Sequence, residues 1–257
     1  MKNIISLFLM VLSVCLYMVK EAYAKNLKIT VIELDRYTSS KELSIFYLSD
    51  IHRRKLSEEW LQSLQLSVDA VMIGGDLMEK DVSFSQVEHN IKCLRKLGPV
   101  FFVYGNNDEE VDKLMLQSLL DRNHVVTLQN RAVKWHLDES TAIWIAGVGD
   151  INYEKDDLSA VYKEITDDLP VILLSHDPRI LDSITSGGNQ IDLVLSGHTH
   201  GGQIRVFGFG PYEKGRLLVK DNTYQLISNG YGTTLLPFRL GAKSEVHHIT
   251  VKNRSLL

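Results

Sequence analysis

The chain has 257 residues, a formal charge of −4, 44% hydrophobic and 23% charged residues, and two cysteines. These are the proportions of an ordinary globular protein, and they exclude a disordered, collagen-like, coiled-coil or disulfide-scaffold chain. Without a strong basic field to displace counterions, nucleic acid is not expected as a partner.

The amino terminus departs from the average. Residues Ile4 to Val19 are apolar apart from Ser6 and Ser13, with Lys2 ahead and Ala22-Tyr23-Ala24 behind. A positive start, a short apolar run and small residues at the cut are the order of an export signal. Residues 1–24 therefore read as a signal peptide cleaved after Ala24, or as a signal anchor, because Lys20 and Glu21 are unusual so close to a cleavage site. The run stops at Lys20, short of the roughly 20 apolar residues of a membrane span. A periplasmic or secreted protein is expected, with a membrane-anchored one as the alternative. Cleavage would remove Lys2, Lys20 and Glu21, taking the charge from −4 to −5, and would leave Cys93 with no disulfide partner. Cys93 lies in the helix-patterned stretch Val87 to Leu94 and reads as a buried, inert thiol.

Further along, short apolar runs alternate with helical patterns. Leu43 to Leu48 reads as a buried strand entering Ser49-Asp50-Ile51-His52. Ser57 to Leu66 reads as a helix with Ser57 as cap and Glu58 and Glu59 in its first turn. Val71-Met72-Ile73 ends at Gly74-Gly75-Asp76, and a helix near Ser85 to Leu97 precedes the strand Val100 to Val103, which ends in Gly105-Asn106-Asn107-Asp108. Ala142 to Val148 is strand-like and Leu158 to Ile165 helical. Val171 to Leu174 delivers Ser175-His176-Asp177-Pro178, and Leu193-Val194-Leu195 delivers Ser196-Gly197-His198-Thr199-His200. Gln225-Leu226-Ile227 and Val246 to Val251 close the chain as strands. With no long linker or repeat, a single α/β domain over Leu27 to Lys252 is the economical division.

Five strand ends thus present Asp50 with His52, Asp76, Asn106, His176, and His198 with His200. Carboxyl ends of strands are where α/β proteins place ligands. Imidazole and carboxylate donors suit Mn, Fe, Zn or similar ions, and the lack of clustered cysteine argues against a structural zinc site. The Asp-x-His and His-x-His spacings put two side chains on one face of an extended chain. Seven donors exceed the needs of one tetrahedral ion. Two divalent ions sharing a carboxylate would use them all, and paired metals about 3.5–4 Å apart suit displacement at phosphorus.

Asp50-x-His52, Gly75-Asp76, Gly105-Asn106-x-Asp108, His176 and Gly197-His198-x-His200 resemble, in order, the motif set of the calcineurin-like metallophosphoesterases. Gly201-Gly202-Gln203 and the later Asn229-Gly230-Tyr231-Gly232 and Leu236-Pro237-Phe238-Arg239 resemble a bacterial membrane-associated subgroup, some of whose members act on phosphodiesters or on UDP-2,3-diacylglucosamine. The resemblance implies a four-layer αββα sandwich of two mixed sheets. It implies one metal on Asp50, His52, Asp76 and His200 and another on Asp76, Asn106, His176 and His198. Asp76 would bridge them, and a hydroxide held between the ions would attack phosphorus. The implied partner is a phosphorylated small molecule or a lipid-linked substrate, with peripheral membrane association.

One position departs from the pattern. Where the family commonly has histidine after the asparagine, this chain has Asn107, which cannot act as an acid. General acid catalysis contributes roughly 10²–10⁴ in rate. Phosphodiester or pyrophosphate bonds with good leaving groups are therefore expected over simple monoesters, with Asn107 retained as a donor to a phosphoryl oxygen. The alternatives are a broad-specificity phosphomonoesterase and a non-catalytic metal-dependent protein that binds a phosphorylated ligand. Arg53 and Arg54, beside the first motif, read either as a clamp for a second phosphate or as a solvated basic pair. His89, His124 and His136 read as surface or structural residues, and His247 and His248 as strand residues away from the site. Glu109 and Glu110 read as the acidic start of a helix, and Trp60, Trp135 and Trp144 as packing.

Overall fold

The computed structural model describes residues 2–184 and 191–254. A long helix, α1 (Lys2–Ala22), leads into β1 (Asn26–Leu34) and β2 (Leu43–Leu48). The first half continues with α2 (Glu58–Ser63), β3 (Ala70–Ile73), α3 (Phe84–Arg95), β4 (Val100–Phe102), α4 (Lys113–Arg122) and β5 (Val125–Thr127). The second half runs through β6 (Arg131–His136), β7 (Ala142–Gly147), α5 (Leu158–Glu164), β8 (Val171–Leu174), the short α6 (Ile180–Ser183), β9 (Leu193–Ser196), β10 (Arg216–Lys220), β11 (Thr223–Ile227) and β12 (Glu245–Asn253).

Two six-stranded mixed sheets result, ordered β1-β12-β2-β3-β4-β5 and β10-β11-β9-β8-β7-β6. The closing strand β12 runs parallel to β1 and antiparallel to β2, so the chain's last strand completes its first sheet. Alternation along each strand builds the layers. In β2, Ile45 and Tyr47 face the core between the sheets, with Met72, Phe101, Ile145, Ile172 and Leu195. Phe46 and Leu48 face the other way, onto Leu61, Val87, Ile91 and Leu116 of the outer helices. Beyond the second sheet, Trp144, Val171 and Leu173 pack on Val161 and Ile180. This is the expected αββα sandwich.

Register matters most for function. Leu48 pairs with Ile73 and Ile73 with Phe102, so β2, β3 and β4 end level with one another. Leu174 pairs with Leu195 in the same way, ending β8 level with β9. The polar loops that follow are thereby stacked side by side at one end of the sandwich.

Local chemistry sets the helix ends. Ser57 caps α2 by accepting the Trp60 N–H at 3.2 Å. The helix stops at Ser63 rather than Leu66, because Gln65 takes a left-handed backbone (φ 51°). Glu109 and Glu110 do not begin a helix: they lie in a 3₁₀ turn, and α4 starts later with Asp112 as cap. The side chain of Glu109 is buried and ion-paired to Lys113 and Lys155. Trp60 stacks on Tyr231, and Trp135 meets Phe101 edge-on. Cys15 and Cys93 are both free thiols, and burial raises the pKa of Cys93.

Glu245, buried at the start of β12, ties the sheet to the loop before it. Its Oε1 accepts the Asn229 N–H at 2.9 Å, and its Oε2 pairs with Lys28 at 3.0 Å. Burial opposes its charge, but His247, the Asn229 N–H and Lys28 hold its pKa down at about 2, against an ordinary 4.5. A depressed acid pKa contributes stability that is complete above the unfolded value and lost as the pH falls through the folded one. Glu245→Gln should therefore destabilise the protein by about 1–3 kcal/mol at pH 7. In urea denaturation the gap between variant and parent should narrow as the pH is lowered from 4.5 toward 2.

Candidate metal centre

All seven residues singled out as donors meet at the carboxyl ends of the strands. Asp50 and His52 follow β2, Asp76 follows β3, Asn106 follows β4, His176 follows β8, and His198 and His200 follow β9. The means of convergence differs from the expected alternation of an extended chain. Asp50, His52, Asp76, His198 and His200 all have left-handed backbones, with φ between 49° and 68°. The chain turns sharply at each donor, so the side chains are aimed by loop curvature. Left-handed conformations disfavour residues other than glycine, and here they persist because neighbouring loops fix them. The N–H groups of Ile51 and His52 both donate to the Asp76 carbonyl, at 2.8 and 3.1 Å, and the Gly197 N–H donates to the His176 carbonyl at 3.0 Å. Gly75 (φ 85°) lets β3's loop pass beneath His176, where a Cβ would lie 2.6 Å from Nδ1.

The donor atoms fall into two connected groups. In the first, His52 Nε2 lies 3.1 Å from His200 Nε2, which is 3.4 Å from Asp50 Oδ1. In the second, Asn106 Oδ1 lies 2.9 Å from His198 Nδ1 and 3.2 Å from His176 Nε2. Asp76 Oδ2 stands between them, 3.6 Å from His52 Nε2 and 3.4 Å from His176 Nε2. Ligand atoms of Asp50, His52 and His200, and of Asp50, Asp76 and His176, lie close enough together to hold an ion.

The far sides of the rings test whether a cation fits. His176 Nδ1 donates to the Gly74 carbonyl at 2.9 Å, and His52 Nδ1 meets Glu79 Oε2 at 3.1 Å. A ring whose outer nitrogen carries the hydrogen presents a lone pair inward, which is the usual support for a metal-binding histidine. Asp177 Oδ2 lies 3.7 Å from His198 Nε2, leaving Nδ1 turned inward. Behind His200 stands Arg239, its Nη2 3.3 Å from Nδ1. Burial, with the charges of His52 and Arg239, lowers the His200 pKa to about 3 despite Asp50, so the ring is neutral.

Asp50 and Asp76 are almost completely buried, an arrangement that needs positive charge nearby. Burial opposes the charge on Asp76, yet His176 and His52 hold its pKa far below the carboxylate range. Burial likewise opposes protonation of His176, and Asp76 and Asp50 override it and raise that pKa well above the ordinary value. The carboxylates that draw a proton onto the ring would draw a divalent cation into its place. The donor set therefore fits divalent metal.

Asn107 points at Asp76. Its backbone N–H donates to Oδ1 at 2.9 Å and its side-chain amide to Oδ2 at 2.7 Å, so it orients the central carboxylate. Asp108 accepts the N–H groups of Gly105 and Met78 at 2.9 and 3.0 Å, joining the β3 and β4 loops. Arg53 pairs with Glu79 and, at 3.2 Å, with Asp81, and its Nη1 donates at 3.3 Å to the carbonyl of Leu235, which lines the cavity. Arg54 is not solvated: it is buried, with its guanidinium 3.6 Å over the Tyr231 ring. His247 bonds Ser228 and His248 bonds Ser44, both away from the donor cluster.

Two supporting residues have roles that a reading of the sequence does not assign, although Arg239 lies in the Leu236-Pro237-Phe238-Arg239 motif. Glu79 follows no strand end, and only its spacing from Asp76 could draw attention. Arg239 is fully buried and donates to the carbonyls of Asn229 and Gly232, each at 2.6 Å. It anchors the Asn229-Gly230-Tyr231-Gly232 segment under Asp50, where the Tyr231 N–H donates to Ser49 O at 2.9 Å. A cavity of about 550 Å³ opens onto the centre, with Asp76, Asn106, Asn107, His198 and His200 on its floor and Ile204, Leu235, Leu236 and Phe238 among its walls.

Comparison with known proteins agrees with this fold and donor set. The calcineurin-like phosphoesterase family profile matches residues 43–202, from the start of β2 through the last histidine loop. The chain belongs to that family and is a metal-dependent phosphoester hydrolase by membership. It is 42% identical over 232 residues to the uncharacterised protein YpbG of Bacillus subtilis, covering 90% of this chain and 89% of that one. It is 31% identical over 233 residues to a Danio rerio transmembrane protein with metallophosphoesterase domain, covering 82% of this chain and 53% of that protein. Among solved structures, a 5′-nucleotidase precursor from Thermus thermophilus superposes with a TM-score of 0.52 at 12% identity, over 82% of this chain and 55% of the other. This last likeness is one of fold.

If Glu79 sets the His52 tautomer, Glu79→Gln should weaken divalent-metal affinity about 10–100-fold. Isothermal titration with Mn²⁺ checks this. Arg53→Ala, which removes the neighbouring charge but leaves the carboxylate, should change affinity far less.

Proposed function

We propose that the protein is a two-metal phosphoesterase, exported or membrane-anchored, that hydrolyses phosphodiester or pyrophosphate bonds. The observation that carries this reading is the placement of Asp76 Oδ2 between the inward nitrogens of His52 and His176, at 3.6 and 3.4 Å. Asp50, His52, Asp76 and His200 would hold one ion, and Asp76, Asn106, His176 and His198 the other. The ions would be Mn, Fe, Zn or similar divalent metals. When bound, such a pair supplies Lewis-acid polarisation of the phosphoryl group and a nucleophile at neutral pH.

The chain's own residues then decide which bonds are cut. Asn107 holds Asp76 in position and lines the cavity, where its amide is within the same loop as the donors and available to a phosphoryl oxygen. It cannot hand a proton to a leaving oxygen. Bonds that break without strong protonation, such as anhydrides and activated diesters, are favoured over alkyl monoesters. The floor of the cavity takes the phosphoryl group while its apolar walls suit a small organic or lipid-linked moiety. The N-terminal helix and the transmembrane relative support an anchored or exported location.

Turnover of a bis-aryl phosphate by the full-length protein with added Mn²⁺ should exceed that of the mono-aryl phosphate. A large preference for the monoester would instead identify a broad phosphomonoesterase. Asp76→Asn should lose both bound metal and turnover, by metal analysis and assay of the same preparation. Unchanged diesterase activity in that variant would remove the shared-carboxylate mechanism.

A separate variant tests the departure at position 107. Asn107→His should speed substrates with poor leaving groups by about 10²-fold or more and those with good ones much less. Equal acceleration of both would mean that the position does not act through leaving-group protonation.

A further inference from the structure

The carboxyl end of α1 is built into the domain. Arg54 donates to the carbonyls of Ala22, Tyr23 and Ala24, at 3.3, 3.0 and 2.9 Å. Its two other acceptors are the Tyr231 carbonyl and Ser244 Oγ, at 2.7 and 2.8 Å. The helix and the two residues after it therefore supply three of the five acceptors of a guanidinium that is 8% exposed. The Arg239 N–H reaches back to the Met18 carbonyl at 3.0 Å, and Ala22 is buried. Cutting after Ala24 and removing the helix would strip a buried cation of most of its partners, which is strongly unfavourable.

Among the described residues, the helix ahead of Met18 makes no hydrogen bond to the domain. Ile4, Leu7, Phe8, Val11 and Leu12 are exposed along a helix that runs uninterrupted through Lys20 and Glu21. The 16 residues from Lys2 to Tyr17, ahead of the docked Met18, at about 1.5 Å each, extend roughly 24 Å, most of the about 30 Å of a bilayer's hydrocarbon core.

Leu235, 83% exposed, and the exposed Leu236 line the cavity three to four residues from Arg239. Phe207, 96% exposed, and the exposed Phe209 lie on the segment that follows Gln203 and Ile204 of the same cavity. Their two segments are tied together and to α1. The Gln203 side chain donates to the carbonyls of Thr234 and Leu236, at 3.0 and 3.1 Å. The Arg205 N–H donates to Leu240 O at 2.7 Å, one residue from the Arg239 that holds Met18. Phe207 (φ 50°) and Leu235 (φ 59°) also occupy left-handed backbone positions. Asparagine or glycine would suit both turns better, so the turn itself gives no reason for a large apolar side chain. Exposed apolar residues clustered this way mark an interaction surface.

We infer that α1 remains attached as a membrane anchor, and that Phe207, Phe209, Leu235 and Leu236 form a second contact that lays the mouth of the cavity against the lipid bilayer. The occupant of this surface is the bilayer because the free part of α1, exposed and apolar, leaves the domain at Met18, which is held by Arg239, three residues after Leu236. Lys20 and Lys25, both exposed at the end of the helix, lie where cationic side chains meet the headgroups. This inference concerns where the cavity sits and holds independently of which bond the enzyme cuts.

The test uses the full chain in lipid vesicles, with Cys15→Ser and Cys93→Ala as background. Phe207→Cys, Leu235→Cys and, in the turn at the opposite end of the sandwich, Glu139→Cys each carry an environment-sensitive nitrobenzoxadiazole label. Labels at 207 and 235 should shift to the blue in vesicles and lose most of their emission to shallow doxyl-labelled lipid, while the label at 139 does neither. Emission at 207 and 235 that matches the label at 139 would overturn the bilayer contact. A blue shift that doxyl lipid does not quench but that grows with protein concentration would also overturn it, in favour of a second copy of the chain. Mass measurement of the protein isolated from membranes should find residues 2–24 present, and a chain beginning at Lys25 would overturn the retained anchor. Bis-aryl phosphate turnover in the same vesicles reports the reaction separately, so failure of one reading is distinguishable from failure of the other.

Discussion

Two buried carboxylates, Asp50 and Asp76, organise this molecule. Both are buried, and each is satisfied by groups of its own and neighbouring loops. Asp50 accepts the His198 N–H at 3.0 Å and the Ser49 hydroxyl at 2.5 Å. Asp76 accepts the backbone and side-chain amides of Asn107. Each hydrogen bond crosses from one strand-end loop to another or closes a loop on itself, so satisfying the charges also fixes the backbone that carries the donors. The remaining imbalance is electrostatic, and histidines on every side of it are held with a nitrogen facing inward. Removing any one partner would leave a charge buried without compensation, which is why the centre behaves as a unit and not as seven separate residues.

The sandwich makes this arrangement possible by level register. Strands of one sheet deliver Asp50, His52, Asp76 and Asn106, and strands of the other deliver His176, His198 and His200. The two sheets are locked by the core between them, so the distance between the two sets is set by side-chain packing far from the chemistry. Glycines finish the fit where backbones must touch. A Cβ on Gly230 (φ 74°) would lie 2.7 Å from the Cβ of Asp50, so the loop that Arg239 anchors can close beneath the donor only with glycine there.

Much of this is legible in the sequence because the informative features are local. An apolar run followed by loop-forming polar residues, with glycine among them at three of the five places, identifies a strand end, and five such ends with metal-compatible side chains imply a shared site. The strands β2 and β8 begin and end as the pattern indicates. What stays hidden depends on tertiary contacts. Glu79 and Arg239 are ordinary charged residues until the fold places one behind His52 and the other beneath the Asn229 loop. Arg54 looks like half of a solvated pair, and only the structure shows it buried among helix carbonyls. The exposed strand β10 carries too little apolar alternation to be read, and α4 starts from Asp112 where the acidic run suggests an earlier beginning. The extent of α1 is obscured for a related reason: Lys20 and Glu21 interrupt the hydropathy of the segment without interrupting its helix.

The centre and the helix exit are mechanically joined. His52 and Arg54 are separated by a single residue, so the loop that presents a donor to the cavity also grips the end of α1. Tyr231 closes the circuit: its N–H donates to Ser49 O beside Asp50, its carbonyl accepts from Arg54, and its ring stacks under that guanidinium and on Trp60. A displacement of α1 relative to the domain would strip Arg54 of its bonds to Ala22, Tyr23 and Ala24, and Arg54 packs on Tyr231, whose N–H holds the backbone at Ser49 beside Asp50. The apolar lip is tied into the same framework through Arg239, Leu240 and Arg205. The position of the hydrophobic segment and the geometry of the polar floor are therefore joined through one connected group of buried residues, Arg54, Tyr231 and Arg239.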